Sequence, residues 1–174
     1  TVQLGNITRL DASSAGIISL DGVEKLSGLR ELYLSDNKLT DLSSLRNLEQ
    51  LTILDLSRNK IRDLSPLEKL SNLTHLNIDD NEILNIEPLR SSNSLKVLTL
   101  DYNKVSNVTW LVSLPALESV ELSGNPLAGQ MISALRDQGV QVGFYEPAVT
   151  FEDARLEDAV RRSIDKPTSD LTQT

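Results

Sequence analysis

The 174-residue chain has no cysteine, one histidine, one methionine, one tryptophan and few aromatic residues of any kind: one Trp, three Tyr and two Phe. Without cysteine there are no disulfides, thiolate nucleophiles or cysteine-held metals, and the redox compartment is left open. With so few aromatic rings, any core must be aliphatic. No apolar run approaches the ~18 residues of a membrane span. No signal-peptide pattern opens the chain, so an exported protein would carry its targeting segment outside this sequence. Positive charge is in deficit, with 17 Lys+Arg against 25 Asp+Glu and a net charge of −8. That balance argues against a nucleic-acid ligand, whose phosphates demand clustered Lys and Arg. What is present is 39% hydrophobic and 24% charged residues, enough for the core of one domain or slightly more.

The apolar residues are strictly periodic. Ile7, Leu29, Leu51, Leu73, Leu95 and Leu117 recur every 22 residues. Three positions on stand Leu10, Leu32, Leu54, Leu76, Leu98 and Val120, and two further on Ala12, Leu34, Leu56, Ile78, Leu100 and Leu122. An asparagine column follows, Asn37, Asn59, Asn81, Asn103 and Asn125, with Ala15 breaking it in the first unit. The unit reads LxxLxLxxNxI six times without insertion. Leu-x-Leu is the pattern of a short strand with one apolar face, and stacked units supply parallel neighbours. A buried amide at the Asn position can satisfy backbone groups left unpaired where the chain leaves the strand. Pro66 and Pro88 fall where a fixed φ suits a 3-10 turn in the returning half.

This pattern resembles the leucine-rich repeat family, and the 22-residue length with DLSSL, DLSPL and NIEPL resembles its internalin-like and phosphatase-regulator-like branch. The resemblance implies an α/β right-handed solenoid, with short parallel strands on the concave face and 3-10 or irregular turns on the convex face. Six units cover most of the chain. Such an array buries its core only by stacking like units, so the Leu and Asn columns are read as structural. Ser92 interrupts the column of Leu26, Leu48, Leu70 and Leu114, which predicts a looser convex segment from Ser91 to Ser94.

The two ends differ. Residues 127–142 read as a helix, with Met131, Ile132 and Leu135 at helical spacing and Gly139 after it, followed by an edge strand; they would cap the array of residues 1–142. Only six residues precede Ile7, and the first repeat looks uncapped. After a linker at 143–150, residues 151–174 form an amphipathic helical pattern with Leu156, Val160 and Ile164 at i, i+4 and i+8 and Asp153 as N-cap. The order of residues is similar to the cap that precedes the first repeat in bacterial members of the family. Two readings stay open: the chain is a piece of a longer protein of tandem arrays, or the helix covers the bare first repeat of a neighbouring molecule in head-to-tail self-association.

The strand residues that point away from the core form three rows. The first holds Arg9, Glu31, Ile53, His75, Val97 and Ser119, and the second Asp11, Tyr33, Asp55, Asn77, Thr99 and Glu121. The third holds Ser35, Ser57, Asp79, Asp101 and Ser123, flanked by Asp36, Arg58, Asp80 and Tyr102. Tyr33, Asp55, His75, Asn77, Asp79, Asp80, Asp101 and Tyr102 are the candidate ligand-binding residues, because apolar and aromatic groups ringed by charge suit a protein interface. Asp79 and Asp101, on adjacent strands about 4.8 Å apart, should repel unless bridged, and a partner's Lys or Arg would relieve that.

Catalysis is not expected. His75 has no cysteine to activate, no serine lies in a Gly-x-Ser-x-Gly elbow, and an open sheet cannot separate the pKa values of paired carboxylates. No Asp-x-Asp-x-Asp-Gly loop suggests calcium, so no metal and no cofactor are expected. The sequons at Asn6, Asn72 and Asn107 read as accidental. The resemblance implies a protein-interaction module of a bacterial surface or secreted protein. A protein partner with a basic patch is expected on the concave face, and a glycan is the lesser alternative. An intracellular regulatory subunit, for example of a phosphatase, and a structural spacer between arrays are the other readings.

Overall fold

The structure, a computed structural model, describes residues 4–144. The chain divides into two units, Thr1–Phe144 and Tyr145–Thr174, so most of the expected linker, the helical pattern at 151–174 and the self-association attached to it lie outside the described residues.

Seven three-residue strands make one parallel sheet in chain order: β1 Arg9–Asp11, β2 Glu31–Tyr33, β3 Ile53–Asp55, β4 His75–Asn77, β5 Val97–Thr99, β6 Ser119–Glu121 and β7 Gln141–Gly143. The register places Leu32, Leu54, Leu76, Leu98 and Val120 side by side. In these five strands the middle residue is buried and its neighbours are not, as a sheet with one wet face requires. The returning halves are 3-10 turns, at Val23–Lys25, Ser43–Leu45, Ser65–Leu67, Glu87–Ser91 and Thr109–Ser113. Each of the last four is opened by a side chain two residues before an N–H. Asp41 and Asp63 accept from Ser43 and Ser65 at 2.9 and 2.8 Å, and Asn85 and Asn107 accept from Glu87 and Thr109 at 2.9 and 3.0 Å. This is why the returning half reads DLSSL, DLSPL and NIEPL: the first residue caps the turn.

The Asn side chains bind coil to coil. The Nδ2 of Asn81 donates to Leu56 O of the preceding coil at 3.0 Å and to Ile78 O of its own at 3.1 Å, while its Oδ1 accepts the Ile61 N–H at 2.9 Å. Asn37, Asn59, Asn103 and Asn125 repeat the arrangement. Each serves the coil before it. Ala15 stands where no preceding coil is among the described residues, so an amide there would lack that partner.

The segment around Ser92 is not loose. Ser92 is 2% exposed within the Leu column, its N–H donates to Leu89 O at 2.9 Å, and the turn is five residues long instead of three. A small polar residue is accommodated there with the same backbone hydrogen bond that Leu48 and Leu70 make to Leu45 O and Leu67 O on earlier coils.

At the C-terminal end α1, Gly129–Asp137, buries Ile132 and Leu135. It stops at Gly139, whose φ of 81° supplies the left-handed turn. β7 then pairs with β6 through Gly143, a residue the sequence pattern assigns to the linker. Phe144 packs partly buried against the core. At the other end Leu10, Ala12, Ile17, Val23 and Leu26 are only partly buried, Leu4 sits in a short 3-10 turn, and Ile18 is 74% exposed.

Candidate functional site

The outward rows of β1–β6 share one face, and their register sets which side chains meet. Ile53, His75 and Val97 are directly aligned on β3, β4 and β5, giving an apolar and aromatic strip in which Ile53 and Val97 are half-buried and His75 is exposed. The His75 ring Nδ1 lies 2.9 Å from Thr74 Oγ1. Beside this strip run Asp55, Asn77 and Thr99, and beyond them the turn that leads into the Asn column.

In that turn one residue per coil has a left-handed backbone: Ser14, Asp36, Arg58, Asp80 and Tyr102 have φ between 52° and 55°, and Gly124 has 71°. The conformation aims the N–H along the sheet. Asp36, Arg58, Asp80 and Tyr102 donate to Ser57, Asp79, Asp101 and Ser123 carbonyls at 2.8–2.9 Å, which carries the ladder past the strand ends. An αL backbone strains non-glycine residues, and the extra hydrogen bond offsets it.

The acidic residues divide into two kinds. The N–H before each αL residue also needs an acceptor. Where the residue two back is Asp or Asn it provides one: Asp11 to Ser13 at 3.1 Å, Asp55 to Ser57 at 2.9 Å and Asn77 to Asp79 at 3.0 Å. On the next two coils that position holds Thr99 and Glu121, and the acceptor comes from the coil before. Asp79 Oδ1 takes the Asp101 N–H at 2.7 Å, and Asp101 Oδ1 takes the Ser123 N–H at 2.6 Å. Asp55, Asn77, Asp79 and Asp101 therefore each hold backbone. The signal for the last two was in the sequence: Asp appears in the third row one coil before the second row loses its Asp or Asn.

With these hydrogen bonds made, the carboxylates still repel one another. Burial above all, with the charges of Asp101 and Asp80 adding to it against the Asp101 N–H hydrogen bond, pushes the Asp79 carboxyl up to about 6. Asp101 is also raised, again mainly by burial. The Thr99 hydroxyl is buried and makes no hydrogen bond of good geometry among the described residues; its pull on the Asp79 carboxylate is loose and outranked by burial.

Of the remaining candidates, Tyr33 is engaged within the chain. Arg9 lies over its ring at 4.4 Å and also pairs with Glu31, while the Tyr33 hydroxyl donates to Glu31 at 3.2 Å. Sequence reasoning missed this trio, although Arg9 and Glu31 were adjacent in one row. Asp80 faces Arg58 at 3.9 Å with both side chains more than half exposed. Tyr102 is 63% exposed. Thus His75, Asp80 and Tyr102, with Ile53 and Val97, are the residues the fold does not consume. Among the described residues no group of three or more His, Asp or Glu could hold a metal ion, and no helix is long and apolar enough to cross a membrane.

A family model described as leucine rich repeat matches residues 6–61 and 71–127, and another, of leucine rich repeats in two copies, matches 49–91. No curated protein matches significantly. Among solved structures, an internalin from Listeria monocytogenes is 28% identical with a TM-score of 0.66, over 84% of this chain and 51% of that one. Internalin C2 from the same organism is 26% identical with a TM-score of 0.61, over 82% of each. A leucine-rich repeat protein from Leptospira interrogans, 21% identical with a TM-score of 0.60 over 74% of this chain and 40% of that one, shares the fold. The chain spans about half the length of the first of these.

Proposed function

Because the chain belongs to the leucine-rich repeat family, we propose that its concave face binds a protein partner, as part of a bacterial surface or secreted protein. The observation that carries this reading is the aligned strip of Ile53, His75 and Val97. These side chains bury no core and satisfy no backbone group, yet they bring apolar surface together on three adjacent strands and are bordered by charge. Apolar centres with polar rims characterise protein interfaces. The likeness to two Listeria internalins supports the bacterial setting. An acidic border on a chain of net charge −8 favours a partner with a basic patch.

The test is capture of partners from lysates and surface extracts by the native chain and by the double variant Ile53→Asp and Val97→Asp. These side chains lie on the open face, so the fold should survive, which circular dichroism checks. A partner held by the native chain and lost by the variant supports the reading. A partner held equally by both places recognition elsewhere and overturns it.

A further inference from the structure

Tyr102 occupies a position where an aromatic residue gains little for the fold. The left-handed turn favours Gly, Asn or Asp, and Tyr102 accepts it with a φ of 54° while leaving 63% of its surface in water. Burial does not explain it. Its ring is nevertheless held. On the next coil the equivalent residue is Gly124, and a Cβ there would come within 2.6 Å of Tyr102 Cδ1 and 3.1 Å of Cε1. The ring thus lies across the space that any side chain at 124 would need. Asp80 occupies the equivalent place on the preceding coil, about 4.8 Å away along the sheet, and Asp101 precedes Tyr102 in the chain. The Asp80 carboxylate is only loosely engaged by Arg58, at 3.9 Å.

The chain itself shows what such a group can hold. At the other end of the same face, a tyrosine ring and a carboxylate, Tyr33 and Glu31, together grip the Arg9 guanidinium, which sits 4.4 Å from the ring centroid. Among the described residues the cations stacked on rings are Arg9 on Tyr33 and Arg90 on Trp110; Tyr102 has the ring and the carboxylates with no cation above it. A ring fixed before binding loses little rotamer entropy on contact, and a cation over a ring is strengthened by a nearby carboxylate.

We propose that Tyr102, braced over Gly124 and flanked by Asp80 and Asp101, is a docking platform for an arginine side chain of the partner. This rests on the reading of the concave face as a protein-binding surface and names the chemistry it recognises. Gly124 is a positioning residue: it touches no ligand and leaves the space that the Cδ1 and Cε1 edge of the ring occupies.

The platform is tested with fluorescein-labelled penta-arginine, penta-lysine and the neutral penta-citrulline, by anisotropy at fixed low ionic strength with the full chain. Native protein should prefer penta-arginine. Tyr102→Phe should bind it as the native chain does, whereas Tyr102→Leu should bind it about 3- to 10-fold more weakly, with a smaller loss for penta-lysine. Gly124→Ala should show a similar loss without any change in charge. If that variant does not fold, the Tyr102 pair still decides the question. Equal binding of penta-arginine by Tyr102→Leu and the native chain overturns the platform. The peptides do not involve the captured partner, so failure here leaves the Ile53 and Val97 test standing. Failure there leaves the dependence on Tyr102 to be read by itself.

Discussion

The Oδ1 of Asn81 accepts the Ile61 N–H of the coil before it at 2.9 Å. The same side chain donates to Leu56 O and Ile78 O, so one amide joins two coils and closes one turn.

Replacing Asn81 by Ala therefore leaves a buried donor and two buried acceptors with fewer bonds in a region that excludes water. Each buried unsatisfied group costs about 1–3 kcal/mol, and partial relaxation brings the expected loss to about 3 kcal/mol. For a domain of this size that lowers Tm by about 6–12 °C. Asn81→Asp, which keeps the acceptor and loses the donor, should be at least as damaging, because it buries a charge beside carbonyl oxygens. Thermal melts of both variants check this, and a melt within 1–2 °C of native (~0.5 kcal/mol) would show that the amide does not join the coils.

Much of this was legible in the sequence because it repeats. Leu32, Asn37 and their equivalents recur at fixed spacing, and an open parallel sheet is the arrangement that puts equal residues side by side. What did not repeat was harder to read. Asp79 and Asp101 looked like free charges, since the backbone N–H each one accepts belongs to the next coil and shows only when the third row is compared with the second row of the following unit. Ser92 looked like a weak point because a hydroxyl replaced a Leu, but its N–H keeps the bond to Leu89 O that the Leu residues make in other coils. Tyr102 and Gly124 are 22 residues apart, and their mutual fit is a matter of shape that no column of residue types displays.

Asn107 caps the last 3-10 turn, where its Oδ1 accepts from both the Thr109 N–H at 3.0 Å and the Thr109 hydroxyl at 2.8 Å. Asn107→Ala should cost about 1 kcal/mol, whereas Asn107→Asp should be near native, since Asp41 and Asp63 do the same work on earlier coils. Chemical denaturation separates the two, and equal stability of the Ala and Asp variants would contradict the capping role.

Trp110 takes the column held by Pro66 and Pro88 on earlier coils and is buried beside the C-terminal helix, with Arg90 over its ring at 5.5 Å. The turn that carries it, Thr109–Ser113, packs on α1. Truncating it to Ala should cost about 3–5 kcal/mol. Hydrogen exchange should quicken first in α1 and β7, with protection in β2–β4 kept at sub-denaturing conditions. Uniform quickening across all strands would mean that the array melts as one unit and that Trp110 does not anchor its end.

Asp79 gives the array a distinctive pH response. Its folded-state pKa, about 6, lies above the ordinary carboxylate value, so the folded state binds a proton more readily than the unfolded chain does. Stability from this group is thus full at pH below about 4 and is lost as pH rises through about 6. The capping carboxylates run the other way. Asp41 and Asp63 are held low mainly by the backbone and hydroxyl groups of Ser43 and Ser65, so their contribution persists above the ordinary value and is lost only as pH falls below it. Between about pH 6 and about pH 4 acidification should therefore stabilise the native chain, before the caps fail at lower pH. Asp79→Asn keeps an oxygen for the Asp101 N–H and removes the charge. After discounting for the half-exposed, solvent-screened site, it should gain about 1 kcal/mol over native at about pH 7.5 and almost nothing at about pH 4.5. Denaturant titrations at the two pH values measure the difference directly. A gain that is the same at both would mean that Asp79 titrates normally and that burial does not govern its charge.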